Sequence, residues 1–141
     1  MQGPLHLIMG ILIQRNIAFG NPIIRYGTIA ALAILSHLIL DFFCKLSYHS
    51  PKPLINDKYW LFYNSAYALL CIPIIFFYRQ YLFAMFFAML PDFEWITAKR
   101  GGKLRIHKFV NGMRASVPDL RRVRLASLSE IFLTLILLMR L

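Results

Sequence analysis

Apolar residues fall into five runs separated by short polar breaks. The first, 5–19, is interrupted by Gln14, Arg15 and Asn16. It is short against the roughly 20 residues a crossing helix needs, and predicts a partly inserted helix. Asn21-Pro22 reads as a turn. Residues 26–44 predict a spanning helix with His37 and Asp41 near its end. A polar loop over 45–58 carries Pro51 and Pro53. Residues 60–78 predict a third helix, with Tyr59 and Trp60 at an interface as in an aromatic belt, and Pro73 as a kink point. Arg79-Gln80 makes a tight connection into a fourth helix over 81–96, ended or bent by Pro91-Asp92. Segment 99–124 is polar, basic and interfacial, and 125–141 predicts a last helix with Glu130 inside it. The expectation is one all-α domain over 1–141: a polytopic membrane helix bundle of about four to five hydrophobic helices.

Composition strengthens the membrane reading. Apolar residues are 59% of the 141 positions, and mean hydropathy is +0.59. Soluble domains hold roughly 45–50%, and a water-soluble chain of this size could not hide the surplus. The bilayer is its natural solvent, and membrane lipids are the expected surroundings. Cys44 and Cys71 lie in or beside apolar runs and read as free thiols packed like small hydrophobes. The N-terminus lacks the basic region and cleavage site of a secretory signal, so its retention is expected.

Charge then gives orientation. The net charge of +10 has no nucleic-acid recognition motif beside it, which argues against a nucleic-acid partner and for loops facing anionic lipid. Segment 99–124 holds nine basic residues: Lys99, Arg100, Lys103, Arg105, Lys108, Arg114, Arg121, Arg122 and Arg124. Lys45, Lys52 and Lys58 make twelve, against Arg15, Arg25, Arg79 and Arg140 elsewhere. The positive-inside rule places 45–58 and 99–124 in the cytoplasm of a multi-pass protein of the cell (inner) membrane. Threading the helices on that basis brings His6, the His37/Asp41 end, His49, Asp92, Glu94, His107 and the Glu130 end to one face. Those residues were not used in the charge count.

His37 and Asp41 are four apart and stack on one helix face. An ionisable group in a membrane helix is costly and points at a partner or cavity. A His and a carboxylate so placed can share a divalent cation, or the carboxylate can orient the imidazole. A purely structural role competes: His37 as a packing device, and Asp41 paired with Lys45 at the interface. The wider set favours chemistry. Four of the six acids (Asp41, Asp92, Glu94, Glu130) lie inside or at the ends of apolar helices. Glu130 has its own bland reading, a helix-start carboxylate favoured by the dipole. Mixed oxygen and imidazole ligands suit Zn, Mn, Fe or Ni better than Ca or Mg, and such a metal can activate water for hydrolysis.

Four segments carry a resemblance: Leu5-His6-Leu7-Ile8-Met9-Gly10, Ser36-His37-Leu38-Ile39-Leu40-Asp41, Met89-Leu90-Pro91-Asp92 and Ser129-Glu130. They resemble the YdjM-like group of small membrane-bound proteins, identified as metal-dependent hydrolases and as distant relatives of zinc-dependent phospholipase C. The resemblance implies ligand or catalytic roles for His6, His37, Asp41 and Asp92. Phe93-Glu94-Trp95 stands where the group often has Asp-His, so Glu94 takes the place of the second acid. His107 stands near where many members carry a further His-rich stretch. Asp92 and Glu94 are then the catalytic candidates. His6, His37, Asp41, Asp92, Glu130 and His107 are the candidate ligands of a divalent metal, zinc among the options.

Two functions of different class follow. One is a membrane-bound metal-dependent hydrolase acting on a phosphoester or lipid-like substrate at the cytoplasmic face, with 99–124 attracting the anion. The other is a non-enzymatic accessory or scaffold subunit, with membrane protein partners and a degenerate metal site. A proton or cation pathway ranks below both, because the polar groups gather at one face and do not run across the membrane.

Overall fold

A computed structural model of the protein describes residues 3–18, 20–43, 58–93 and 120–141. All regular elements among the described residues are helical: α1 Gly3–Asn16, α2 Pro22–Phe43, α3 Lys58–Phe77, α4 Leu82–Met89 and α5 Leu120–Arg140. Tight 3-10 turns over Arg79–Tyr81 and Leu90–Phe93 flank α4.

Helix α1 is apolar on every side, and a helix of that kind belongs in an interior. It packs against α2, α3, α4 and α5. Leu5, Leu7, Ile8 and Ile11 are all buried. Leu7, Ile8 and Ile11 form one cluster with Ile74 of α3 and Met85 of α4. The closest approach is to α4. A methyl group placed on Gly10 would stand 2.9 Å from the Ala84 carbonyl oxygen, so only glycine admits the α4 backbone there. The polar break that interrupts the first apolar run is structural. Gln14 accepts the Ala84 amide N–H at 3.1 Å and donates to the Gln80 carbonyl at 3.4 Å, which ties the end of α1 to the start of α4. Arg15 donates to the Leu141 carbonyl at 2.7 Å.

Asn21-Pro22, read as a turn, is the start of α2. The Asn21 side chain accepts the Ile23 amide at 2.8 Å, and Pro22 sits at the first helical position, where its missing N–H costs nothing. The turn itself is made at Gly20, whose φ of 88° suits glycine. Along α2 the buried positions are Ile29, Ala33, His37 and Asp41, each four residues after the last. This single stripe faces the bundle, while Ile23, Leu32, Leu35, Ile39 and Phe42 are exposed.

The fourth run departs most from expectation. Residues 81–93 are not one helix but a turn, an eight-residue helix and a second turn. The chain bends by 91° between Leu61–Phe77 and Arg79–Phe93. Pro91, well beyond that bend, removes an amide donor and ends α4 in a tightened 3-10 turn. Pro22–Phe42 is the one described helix long and apolar enough by itself to cross a membrane, and only 17% of its hydrophobic window is buried. The bent pair passes the same test only when taken together. Helix α5 begins at Leu120, so Arg121, Arg122 and Arg124 belong to a helix and not to the basic segment. The 45–57 and 99–119 parts of the predicted cytoplasmic segments, and residues 94–96 of the predicted fourth helix, lie outside the described residues.

Candidate metal centre

Three elements bring the site together. His6 lies in the first turns of α1, His37 and Asp41 stand one turn apart on the buried stripe of α2, and Asp92 projects from the turn that ends α4. The His6 and His37 rings stack with centroids 3.9 Å apart and planes 17° from parallel. Both are fully enclosed by protein. Stacking aims both imidazoles at the same carboxylate. Asp41 Oδ1 lies 3.5 Å from His6 Nε2, and Asp41 Oδ2 lies 3.1 Å from His37 Nε2. Asp92 Oδ1 is 3.6 Å from His37 Nε2.

The other nitrogen of His37 fixes its tautomer. Nδ1 lies 2.6 Å from the Ala88 carbonyl oxygen, which can only accept, so Nδ1 carries the proton. In the neutral ring, Nε2 then presents a lone pair toward two carboxylates. Only a proton or a cation at Nε2 makes that arrangement favourable. A backbone carbonyl on one ring nitrogen, with the second nitrogen turned toward the ligand position, is the usual support of a metal-ligating histidine. Burial pushes the His6 imidazole below its ordinary pKa, with the Asp41 contact opposing. Helix α1, about 21 Å long, falls short of a crossing, and burial there favours the neutral imidazole, the form that binds a metal.

His6, His37 and Asp92 each offer one ligand atom, all within 4.8 Å of one another, and this group can hold a metal ion. The fit is chemical as well as geometric. Ligand atoms about 2.0–2.1 Å from a tetrahedral zinc stand roughly 3.4 Å apart. Within the group His37 Nε2 and Asp92 Oδ1 are 3.6 Å apart, and Asp41, outside it, stands 3.1 and 3.5 Å from the two ring nitrogens, distances that bracket that spacing.

Glu130, expected among the ligands, is not in this group. It is buried on α5, and its Oε2 accepts the Tyr63 hydroxyl of α3 at 2.9 Å. The Thr134 hydroxyl bonds the Glu130 backbone carbonyl at 2.7 Å. Glu94, His107 and His49 lie outside the described residues. Sequence reasoning missed Tyr63, although Tyr63, Tyr67 and Ile74 recur on one face of α3 and are all buried. It also missed the Ala88 carbonyl, a backbone atom with no side-chain signature. No protein-family model matches the chain, and neither does any curated protein or solved structure.

Proposed function

We propose that this chain is a multi-pass membrane protein that binds a divalent metal, zinc being the first candidate, and hydrolyses a phosphoester or lipid-like substrate at the cytoplasmic face. The observation that carries the reading is the His37 ring: its Nδ1 is committed to the Ala88 carbonyl, and its Nε2 faces Asp41 and Asp92 with His6 stacked against it. The membrane placement rests on α2, which buries a single stripe and exposes the rest of an apolar surface. The motifs that resemble the YdjM-like hydrolases include all four of these residues.

In this reading His6, His37 and Asp92 hold the metal. Asp41 brings one oxygen to each of the same two ring nitrogens that would bind the metal, so it stands on the metal side of the rings and would share the ion with them. A bound divalent metal supplies Lewis-acid polarisation and activation of water. Asp92 is the one member of the layer with substantial exposure, so its carboxylate is placed to take or return a proton at the site's edge. The excess of basic residues draws anionic substrate or anionic lipid to the same face.

The test is metal content of the purified protein, measured with turnover of phosphoester substrates, on wild type, His37→Ala and Asp41→Ala. Wild type is expected to hold metal and turn over, and both variants to lose it. Protein that folds, holds no metal and is indifferent to both substitutions makes the accessory-subunit reading the better one.

A further inference from the structure

We infer that the site is entered sideways from the apolar side of the membrane, and that it takes a phosphate ester bearing an acyl chain in preference to a water-soluble one. The inference rests on the metal reading above and deepens it by choosing between its two substrate classes.

Access decides the matter. Side-chain exposure is 1% at His6, 0% at His37 and 11% at Asp41, against 37% at Asp92. Among the described residues the site therefore opens at Asp92. The side chains that flank this opening are large, apolar and exposed. Leu90 and Phe93 sit either side of Asp92 in the same turn, 36% and 48% exposed. In a 3-10 turn, residues three apart line up on one edge, so Leu90 and Phe93 form a continuous strip. Phe86, one helical turn before Leu90, extends it, with its ring 6.1 Å from that of Phe93. On α2, Phe42 directly follows Asp41 and is also exposed.

A polar ester arriving from water would meet this strip with nothing to bind. An ester with an acyl chain lays the chain along Phe86, Leu90 and Phe93 while its phosphate reaches Asp92 and the metal. Each methylene buried in this way is worth about four-fold in binding. A few methylenes of contact therefore discriminate by well over ten-fold.

The probe is Mn2+, which takes the metal's place and speeds the 31P relaxation of any phosphate that reaches it. Detergent-solubilised wild type loaded with Mn2+ is titrated with dihexanoyl phosphatidic acid and, separately, with glycerol 3-phosphate. The relaxation enhancement is expected to be about ten-fold or more larger for the lipid. Leu90→Ser/Phe93→Ser is the control for simple partition of lipid into micelles. Both side chains are exposed, so their removal leaves the core intact, and bound Mn2+ seen by electron paramagnetic resonance verifies the site. In this variant the lipid enhancement is expected to fall toward that of glycerol 3-phosphate. Equal enhancement by the two esters in wild type overturns lateral entry, as does lipid enhancement that the double variant leaves unchanged. Protein that binds no Mn2+ at all overturns the metal reading, and this inference with it.

Discussion

Asp41 and Glu130 look alike along the chain: each is a lone acid inside an apolar helix, and each is buried in the structure. Their partners differ in kind. Asp41 sits against two stacked imidazoles, with a second carboxylate close to one of them. Glu130 accepts a phenol hydroxyl, and the tyrosine that donates it packs its ring 4.8 Å from Tyr67. The first group is rich in nitrogen lone pairs and negative charge, and can hold a cation. In the second, a neutral donor satisfies a carboxylate oxygen. Burial therefore does not distinguish a ligand from a structural acid. The chemistry of the neighbouring donors does.

The largest expected effect tests the first half of this contrast. His37→Ala removes a ligand nitrogen. Binding of a structural zinc is worth about 10–16 kcal/mol spread over four or so ligands, so loss of one costs about 70- to 900-fold in affinity. Competition with a chromogenic chelator measures it. Glu130→Ala in the same assay is expected to leave affinity within about two-fold, because Glu130 stands outside the ligand group. Equal losses in the two variants would dissolve the contrast and restore Glu130 to the metal.

A smaller effect tests the second half. Tyr63→Phe deletes the hydroxyl that Glu130 accepts in a buried setting. Leaving a buried acceptor without its donor costs about 1–3 kcal/mol. Thermal unfolding in detergent should show a lowered midpoint while zinc affinity holds. A fall in affinity of ten-fold or more would show that the two clusters are coupled through α1, which contacts both α3 and α5.

What could be read from the sequence, and what could not, follows from range. The all-helical character and the apolar α2 were legible, because hydrophobic periodicity is local. So was the pairing of His37 with Asp41, which needs only helical spacing. That His6 and Asp92 join them followed from threading charges, and the structure does bring His6, His37 and Asp92 together. The fourth run was misjudged in length: it is an eight-residue helix between two 3-10 turns, packed on α1 and α2, with Pro91 as the local signal of its end, while the 91° bend falls at the Arg79-Gln80 connection that the sequence does mark. Asn21-Pro22 was a signal read the wrong way: the same pair that suits a turn also caps a helix. The partner of Glu130 was out of reach for a different reason. Tyr63 is 67 positions away, and only the packing of α3 beside α5 brings them together.

The last comparison is the sharpest, because it makes the same chemical change at both acids, and its Glu130 arm is the smallest effect expected. Glu130→Gln and Asp41→Asn each remove a charge and keep a carbonyl oxygen in place. At Glu130 the remaining oxygen still accepts the Tyr63 hydroxyl. A hydrogen bond to a charged group is worth about 1.5–3 kcal/mol and a neutral one about 0.5–1.5, so the stability change should be about 1 kcal/mol, with no change in metal binding. At Asp41 the amide sets one neutral oxygen and one N–H donor where a charged carboxylate met both metal-binding ring nitrogens. Weakening one charged ligand forfeits part of its share of the binding energy, an expected loss of about 10–100-fold in metal affinity. Chelator competition on the two variants side by side reads the difference. Asp41→Asn that binds zinc like wild type, beside Glu130→Gln that does not, would reverse the assignment of the two acids.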